Sequence, residues 1–459
     1  MPEGGRYLSI EEILMTETIL NISSSIGKNR WVRNDLAIDR HAEFLMQTTK
    51  LSILTSTILA ARHVAADNAE DYLNPKIKEL MPDPCELTDL RKGTKRLLEA
   101  VNKNQQIAIY SDFDVDGTAS AALLILWLKE HGSKPTLYIP DRIKEGYGPN
   151  MAAFKKLASE NSVIVCLDSG TQSYEPIEVA QSNNCDVIVI DHHQTSTILP
   201  NSFAIINPKR INENPDFSDL CTAGLVFLFL TDLNRLLREQ REVKFDLIKH
   251  VDLVALATMA DVVPLKGLNR AFVAQGVKVI SKSMRPCFLS LAEKAHFKAP
   301  ITAEALAFTF APRINAAGRI NDAKLATKIL MSDTIVSAQK YANELEILNN
   351  KRKQLEKDVL DAALEQAEIE NESGQPILWT HGKNWHAGVI GIVAARIKEK
   401  YKKPSVVISI SEKGLGTGSA RSTKNFDIGS SLLKLKDKDL IISGGGHKMA
   451  AGLKIDSNK

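Results

Sequence analysis

Six acidic residues and two histidines stand at positions where they could share a cation. Asp112, Asp114 and Asp116 alternate within IAIYSDFDVDGTASAALLILWL, residues 107–128. Asp168 follows the apolar run Val163–Leu167, and Asp191-His192-His193 follows Val187–Ile190. Asp261 comes after the apolar segment VDLVALATMA. Three crowded carboxylates repel one another unless something positive neutralises them, and a hard divalent cation does so through oxygen ligands. Carboxylates with imidazole suit Mn²⁺ or Mg²⁺, the imidazole tilting the choice toward Mn²⁺. Two such ions roughly 3.5–4 Å apart can hold the attacking and leaving oxygens of an in-line displacement at phosphorus, with one carboxylate bridging them. A lone D-x-D also suits a solvated acidic turn, and a single acid at a strand end also suits a helix cap. Capping does not explain three strand ends bearing carboxylates, one of them with paired histidines. There is no Ser-His-Asp arrangement, P-loop or dinucleotide fingerprint to compete.

The elements that must position these residues follow from hydrophobic pattern. Ile107–Tyr110, Thr136–Ile139, Val163–Leu167, Val187–Ile190 and Phe203–Ile206 are short, β-branched and continuously apolar, as strands covered on both faces are. Helical stretches separate them. The pattern predicts an α/β fold with a parallel, doubly wound sheet, whose ligands bind beyond the carboxyl ends of the strands.

The chain has 459 residues, room for two or three domains. Its apolar content of 44% and charged content of 25% are those of an ordinary globular protein. A formal net charge of +3 neither demands nor excludes nucleic acid, since a basic groove can hide in a balanced total. Five scattered cysteines without a CxxC pair suggest reduced thiols, and no signal-peptide or membrane-spanning pattern is evident. A cytoplasmic protein with no membrane partner is the expectation. Residues 1–35, with Gly4, Gly5 and Ser23–Ser25, suggest a loose arm in which Trp31 could be an anchor. From about Asp39 to Leu73 the pattern is helical, and Asn74-Pro75 stops it.

Beyond Ser332 the character changes. Residues 332–372 contain neither Pro nor Gly and carry an apolar stripe through Leu345, Leu348, Leu355, Val359, Leu360 and Leu364. This predicts one long helix that links two domains, with Ser332-Asp333 able to cap its start. A smaller α/β domain follows. It holds a Gly-containing loop with His386 and Gly388, the segment GSARS with Arg421 after a Gly-rich turn, and SGGGHKMAAG, read as a second Gly-rich loop with Ser443, Gly444, Gly445, Gly446, His447 and Lys448. Backbone N–H groups of such turns bind phosphates, although glycines can equally serve tight turns alone. The expected organisation is an N-terminal arm and helices (1–90), a catalytic domain (91–331), a connecting helix (332–373) and a substrate-binding domain (374–459).

SDFDVDG, LDSG, DHH and the downstream Asp261 resemble the four motifs of the DHH phosphoesterase superfamily, and GGGHKMAAG resembles its DHHA1 companion domain. With DRIKEGYG (141–148), APRINAAGRI (311–320), WHAGVIGIVAARI (385–397) and GSARS (418–422), the chain is similar to the RecJ group of single-strand-specific 5′→3′ DNA exonucleases over about residues 31–459. The resemblance implies two divalent ions, Mn²⁺ or Mg²⁺. Asp114, Asp116, His192 and Asp261 would be ligands, Asp112 a helper and Asp168 the bridging carboxylate. It implies that His193 faces the scissile phosphate and that Asp191 orients His192. Arg142 would contact the DNA backbone or its 5′ phosphate, and Arg313, Asn315 and Arg319 would face the substrate, as would His386, Arg421 and the glycine segment ending in His447. The implied setting is DNA repair and recombination by a monomer acting on single-stranded DNA, with a helicase and a single-strand-binding protein as candidate partners. The group normally continues into an OB-fold; here the sequence stops at Lys459, so a trimmed form, a short form or an OB-fold supplied elsewhere are all open. A phosphodiesterase of short oligonucleotides or other small phosphates is the alternative activity. A non-catalytic DNA-binding relative would have eroded metal ligands.

Overall fold

Two compact units make up the computed structural model, which describes residues 18–27, 29–32, 35–142, 145–146, 148–320 and 323–456. Gly4 and Gly5 of the expected arm, and Ile143, Lys144 and Tyr147 of the DRIKEGYG segment, lie outside the described residues. Within the smaller unit (residues 1–80 and 266–268), the helical pattern resolves into α1 (Leu36–Thr49), α2 (Ile53–Ala61) and a short turn of helix at Ala69–Leu73. The break after α1 is set by Lys50 in the left-handed region and by Ser52, whose hydroxyl accepts the Thr55 N–H. Trp31 is 49% exposed, so it is not the buried anchor the sequence suggested.

The larger unit begins its core with α3 (Leu90–Asn102). Then β1 (Ile107–Ser111), α4 (Val115–Glu130), β2 (Thr136–Tyr138), α5 (Met151–Glu160), β3 (Val163–Leu167), α6 (Tyr174–Ser182), β4 (Asp186–Ile190) and β5 (Ala204–Ile206) follow. The five strands form a parallel sheet in the order β2-β1-β3-β4-β5. Each expected strand is present, shifted by no more than one residue at either end. One face packs Tyr110, Ile164, Cys166, Val187 and Val189 against Phe154 and Leu157 of α5 and Ile177 of α6. The other is covered by α3, α4 and α7 (Thr222–Arg238). Side chains alternate between these faces, so both halves of every strand must be apolar. The edge strand β5 is protected by an ion pair: Asp89 accepts the Ile205 N–H at 3.1 Å, and Arg210, 2.9 Å from Asp89, donates to the Ile205 carbonyl at 2.6 Å.

Beyond α7 come α8 (Val251–Ala260), α9 (Ala311–Ile320) and the 38-residue α10 (Ile335–Glu372). Thr334, not Ser332-Asp333, caps α10, its hydroxyl accepting the Ser337 N–H. The second sheet contains β6 (Leu378–Lys383), β7 (Ser405–Ile410), β8 (Leu415–Arg421), β9 (Ser443–His447) and β10 (Ala450–Asp456) in the order β6-β7-β8-β10-β9, with β6-β7 parallel and the rest antiparallel. Helices α11 (Ile390–Tyr401) and α12 (Ile428–Asp437) complete it. Two segments expected as glycine-rich loops are strands. Gly416 and Gly418 lie inside β8, and Ser443–His447 is the edge strand of a hairpin that turns at Lys448-Met449. Glycine disfavours strands intrinsically, but here it is required by close packing: a Cβ on Gly446, whose φ is +150°, would lie 2.5 Å from the Ala450 carbonyl oxygen.

Candidate metal centre and basic cleft

The acidic loop between β1 and α4 is tight because of Gly117. A Cβ there would sit 2.6 Å from the Asp112 carbonyl oxygen, so only glycine lets the helix start over the strand end. Asp114 caps α4, accepting the Gly117 N–H at 3.1 Å. The Asn315 side-chain oxygen accepts the Val115 N–H at 3.1 Å, tying α9 to the same loop. Asp116, in the first turn of α4, accepts the Thr222 and Ala223 N–H groups at 2.7 and 2.8 Å. Those donors are the N-terminus of α7, whose dipole favours a carboxylate. The Thr222 hydroxyl donates to Asp168 at 3.0 Å. Asp168 itself leaves β3 with φ +58°, a left-handed conformation uncommon for aspartate and of the kind that clusters at functional sites.

These loops bring Asp112, Asp114, Asp116, Asp168, His192, His193 and Asp261 together. Asp112, Asp114 and Asp168 offer ligand atoms within 4.8 Å of one another, and so do Asp116, His192 and Asp261; a further such set, Asp168, His192 and His193, joins the two. His192 Nε2 lies 3.4 Å from Asp168 and 3.9 Å from Asp116, while its Nδ1 lies 3.7 Å from Asp261, which follows the last turn of α8. Asp168 thus borders both groups. Asp112, Asp116 and Asp168 are each only 2% exposed. One Asp112 oxygen is enclosed with no hydrogen-bond partner among the described residues. Burial first, and the neighbouring carboxylates second, push Asp112 and Asp168 well above the usual carboxylate range, and the same two causes raise Asp261 to about 8. Burial also raises Asp116 and lowers His192. Such a set favours a bound cation over bare anions, and its oxygen-rich chemistry with imidazole fits two hard divalent ions.

The histidine pair corrects the sequence reading in one respect. Asp191 does not hold the His192 ring; its Oδ1 lies 2.8 Å from His193 Nδ1. The turn after β4 folds the second imidazole, not the first, back over the carboxylate, and Asp191 also accepts both histidine N–H groups. Burial opposes a charged His193, but the bond to Asp191 together with the charges of Asp191, Asp112 and Asp114 outweighs it and raises the imidazole to about 9. Asp191 is held far below the usual range: burial would raise it, and the bond and charge of His193, with the bond from Thr171, prevail.

A basic wall faces the acids. Arg142 lies over the Phe113 ring at 5.0 Å. Arg319 donates to the Gly388 carbonyl at 3.2 Å, joining α9 to the loop before α11. Burial, then the charges of Arg142 and Arg352, lowers Arg319 to about 10. Arg421, at the end of β8, donates to Ser419 and to the Ala420 carbonyl at 3.2 and 2.9 Å, and burial followed by Arg142 lowers it as well. His386, its Nδ1 accepting the Gly388 N–H at 3.1 Å, is lowered by burial and then by Lys351 and Arg142. The His447 ring stacks on His193 with centroids 6.5 Å apart, which carries the β9 edge over the metal cluster. A cavity of about 200 Å³ opens beside the acids, lined in part by Ala260, Asn315, Arg319 and Arg352. Several cations depressing one another around a cleft form a site for anions.

Arg313 is not in this wall. Its guanidinium pairs with Glu346 of α10 at 2.7 Å and with the Thr309 carbonyl at 2.7 Å, so it fastens α9 to the long helix. Two residues from Asn315, it points to another side of the helix. The sequence reading missed Thr171, Asn207, Thr222 and Arg352. Thr171 and Asn207 are ordinary turn residues, and only the observation that one follows LDSG and the other follows β5 could have singled them out; Thr222 begins α7 and Arg352 lies within α10, where no such signal stands.

A family model described as the DHH family N-terminal domain matches residues 106–258, and one described as the DHHA1 domain matches residues 374–459. The chain is 33% identical over 402 residues to the single-stranded-DNA-specific exonuclease RecJ of Escherichia coli, covering 84% of this chain and 70% of that one. It is 32% identical over 435 residues to the RecJ of Bacillus subtilis, covering 94% of this chain. Among solved structures, RecJ from Thermus thermophilus in complex with Mn²⁺ superposes with a TM-score of 0.77 at 28% identity, over 93% of this chain. An exonuclease RecJ bound to manganese superposes at 0.69 and 31%, over 83% of this chain and 92% of that one. The chain spans 53% of the Bacillus relative and 59% of the Thermus structure.

Proposed function

Because the chain belongs to the RecJ family, we propose that it is a two-metal exonuclease that hydrolyses single-stranded DNA from the 5′ end. The observation that carries the reading is Asp168, a buried carboxylate bordering both clusters of ligand atoms. In this reading Asp112, Asp114 and Asp168 would hold one divalent ion, and Asp116, His192 and Asp261 would hold the other, Asp168 being the carboxylate shared by both. Bound there, Mn²⁺ or Mg²⁺ supplies neutralising charge and activates water for attack at phosphorus. The protein's own groups do the rest. His193, fixed through Nδ1 by Asp191, faces an oxygen of the scissile phosphate. Arg142, Arg319 and Arg421 bind phosphates on the far wall, Arg being suited to bidentate oxyanion contact. His386 and the Ser443–His447 edge line the strand's path. Division of the chain into a catalytic part, a connecting helix and a gripping part belongs to the same proposal. So does its setting: a monomer in the cytoplasm, in repair and recombination, beside a helicase and a single-strand-binding protein. Among the described residues, no helix is long and apolar enough to cross a membrane.

The test is a time course on 5′-labelled and 3′-labelled single strands, on a blunt duplex and on a dinucleotide, with Mn²⁺, Mg²⁺ or chelator. Metal-dependent release of 5′ label first, with the duplex slow, is expected. Faster turnover of the dinucleotide than of the long strand would move the assignment to a small-substrate phosphodiesterase.

A further inference from the structure

We propose that Thr171 and Asn207 are positioning residues for His193, fixing its imidazole through Asp191; the inference rests on the role given to His193 above. Asn207 follows β5 and is fully buried, and Thr171 and Asp191 are each 1% exposed. The Asn207 side-chain amide donates to the Thr171 hydroxyl at 2.9 Å and to the His193 carbonyl at 3.0 Å, and its oxygen accepts the Lys209 N–H at 2.8 Å. Thr171 donates twice to one oxygen of Asp191, from its hydroxyl at 2.6 Å and from its N–H at 3.1 Å. The other Asp191 oxygen receives the His192 and His193 N–H groups at 2.8 and 3.2 Å and faces His193 Nδ1 at 2.8 Å.

Direction follows from proton count. A hydroxyl has one proton, and that of Thr171 goes to the acceptor-only carboxylate, so the Asn207 amide must donate to the hydroxyl's lone pair. The chain therefore runs one way: Asn207 to Thr171 to Asp191, with the His193 Nδ1 proton arriving at Asp191 from the other side. A carboxylate whose second oxygen kept only the 3.1 Å N–H bond could still swing about its own axis. With the 2.6 Å hydroxyl bond as well, its plane is set, and the plane sets the ring it holds. Asn207 also grips the His193 carbonyl, so backbone and ring are held from one residue. Loops after β3, β4 and β5 are thereby locked together behind the imidazole. Partners of this kind orient a working histidine, and their loss typically costs about 10–100-fold.

Thr171→Val removes the hydroxyl at nearly constant volume, and Thr171→Ser keeps it. On single-stranded DNA, Thr171→Val is expected to lower kcat by about 10–100-fold with KM and Mn²⁺ affinity within about threefold of the parent, and Thr171→Ser to recover most of the loss. In a His193→Ala background the same Thr171→Val change should cost nothing further. An equal cost in both backgrounds, or a parallel fall in Mn²⁺ affinity, overturns the inference, because Thr171 would then act on the fold or the metals. Should Thr171→Val fail to fold, the near-isosteric Asn207→Asp, which replaces the donor with an acceptor, is measured in the same cycle with the same outcomes. If the parent enzyme does not degrade single-stranded DNA, the proposed function falls by itself. The positioning claim is still read from the His193 Nδ1 proton in the imidazole NMR spectrum of histidine-labelled protein. Its bonded signal should disappear in Thr171→Val, and its persistence there refutes the inference.

Discussion

At the scale of single residues, the metal-site candidates were legible because carboxylates at successive strand ends have few structural uses. Asp112, Asp114, Asp116, Asp168, His192 and Asp261 do converge. What could not be read was which ring Asp191 holds, since neighbouring histidines are equivalent in sequence and only the backbone turn after β4 separates them. Asp168→Ala should therefore abolish turnover while the far-UV spectrum stays intact. In the proposed two-ion site, losing the shared carboxylate would forfeit several kcal/mol of stabilisation, about a thousandfold or more in kcat. Near-parental turnover would remove Asp168 from the site. His193→Ala should differ in kind. Mn²⁺ binding measured by calorimetry should persist while kcat collapses, because its Nδ1 is committed to Asp191. A loss of Mn²⁺ affinity equal to that of Asp116→Ala would make His193 a ligand.

At the scale of elements, β-branched runs announced all five strands of the first sheet, whereas β8 and β9 were hidden by their glycines, whose reason lies in tertiary packing. Arg313 shows the same limit, because a basic residue in a motif can serve helix packing. Arg313 and Glu346 are 13% and 19% exposed, so truncating one strands the other. Arg313→Ala should lower stability by about 1–3 kcal/mol in chemical denaturation and leave the salt dependence of DNA binding unchanged. A flattened salt slope would return Arg313 to the DNA. The start of α8 supplies a second case. Burial, then Arg285, holds His250 down at about 4, and Arg285 lies 3.0 Å from its Nδ1 while pairing with Asp252 at 2.8 Å. The folded state thus binds fewer protons than the unfolded one between the ordinary histidine value and about 4. Stability contributed by neutral His250 is present above that window and is lost as pH falls through it, by at most about 1.4 kcal/mol per pH unit. Calorimetric scans from pH 7 to 5 should show a shallower loss of Tm in His250→Gln than in the parent; identical slopes would contradict the assignment.

At the scale of the whole molecule, the sequence showed two α/β regions joined by a helix but not how they meet, because that depends on single contacts such as Arg319 with Gly388 and His447 with His193. Those contacts set an acidic edge against a basic wall, and they divide the work. Arg421 ends β8 in the wall and offers no metal ligand, so Arg421→Ala should weaken binding without touching the ions. Each lost phosphate contact should reduce the salt dependence of single-strand affinity by about 0.7 in log–log slope. Cleavage at low DNA should fall more than cleavage at saturation, since an interaction made equally with substrate and transition state acts on KM. Mn²⁺ stoichiometry should be unchanged. If instead the variant binds single strands with parental affinity and salt slope yet loses turnover at saturation, Arg421 stabilises charge that develops only in the transition state. The second sheet would then take part in the chemistry as well as in the grip.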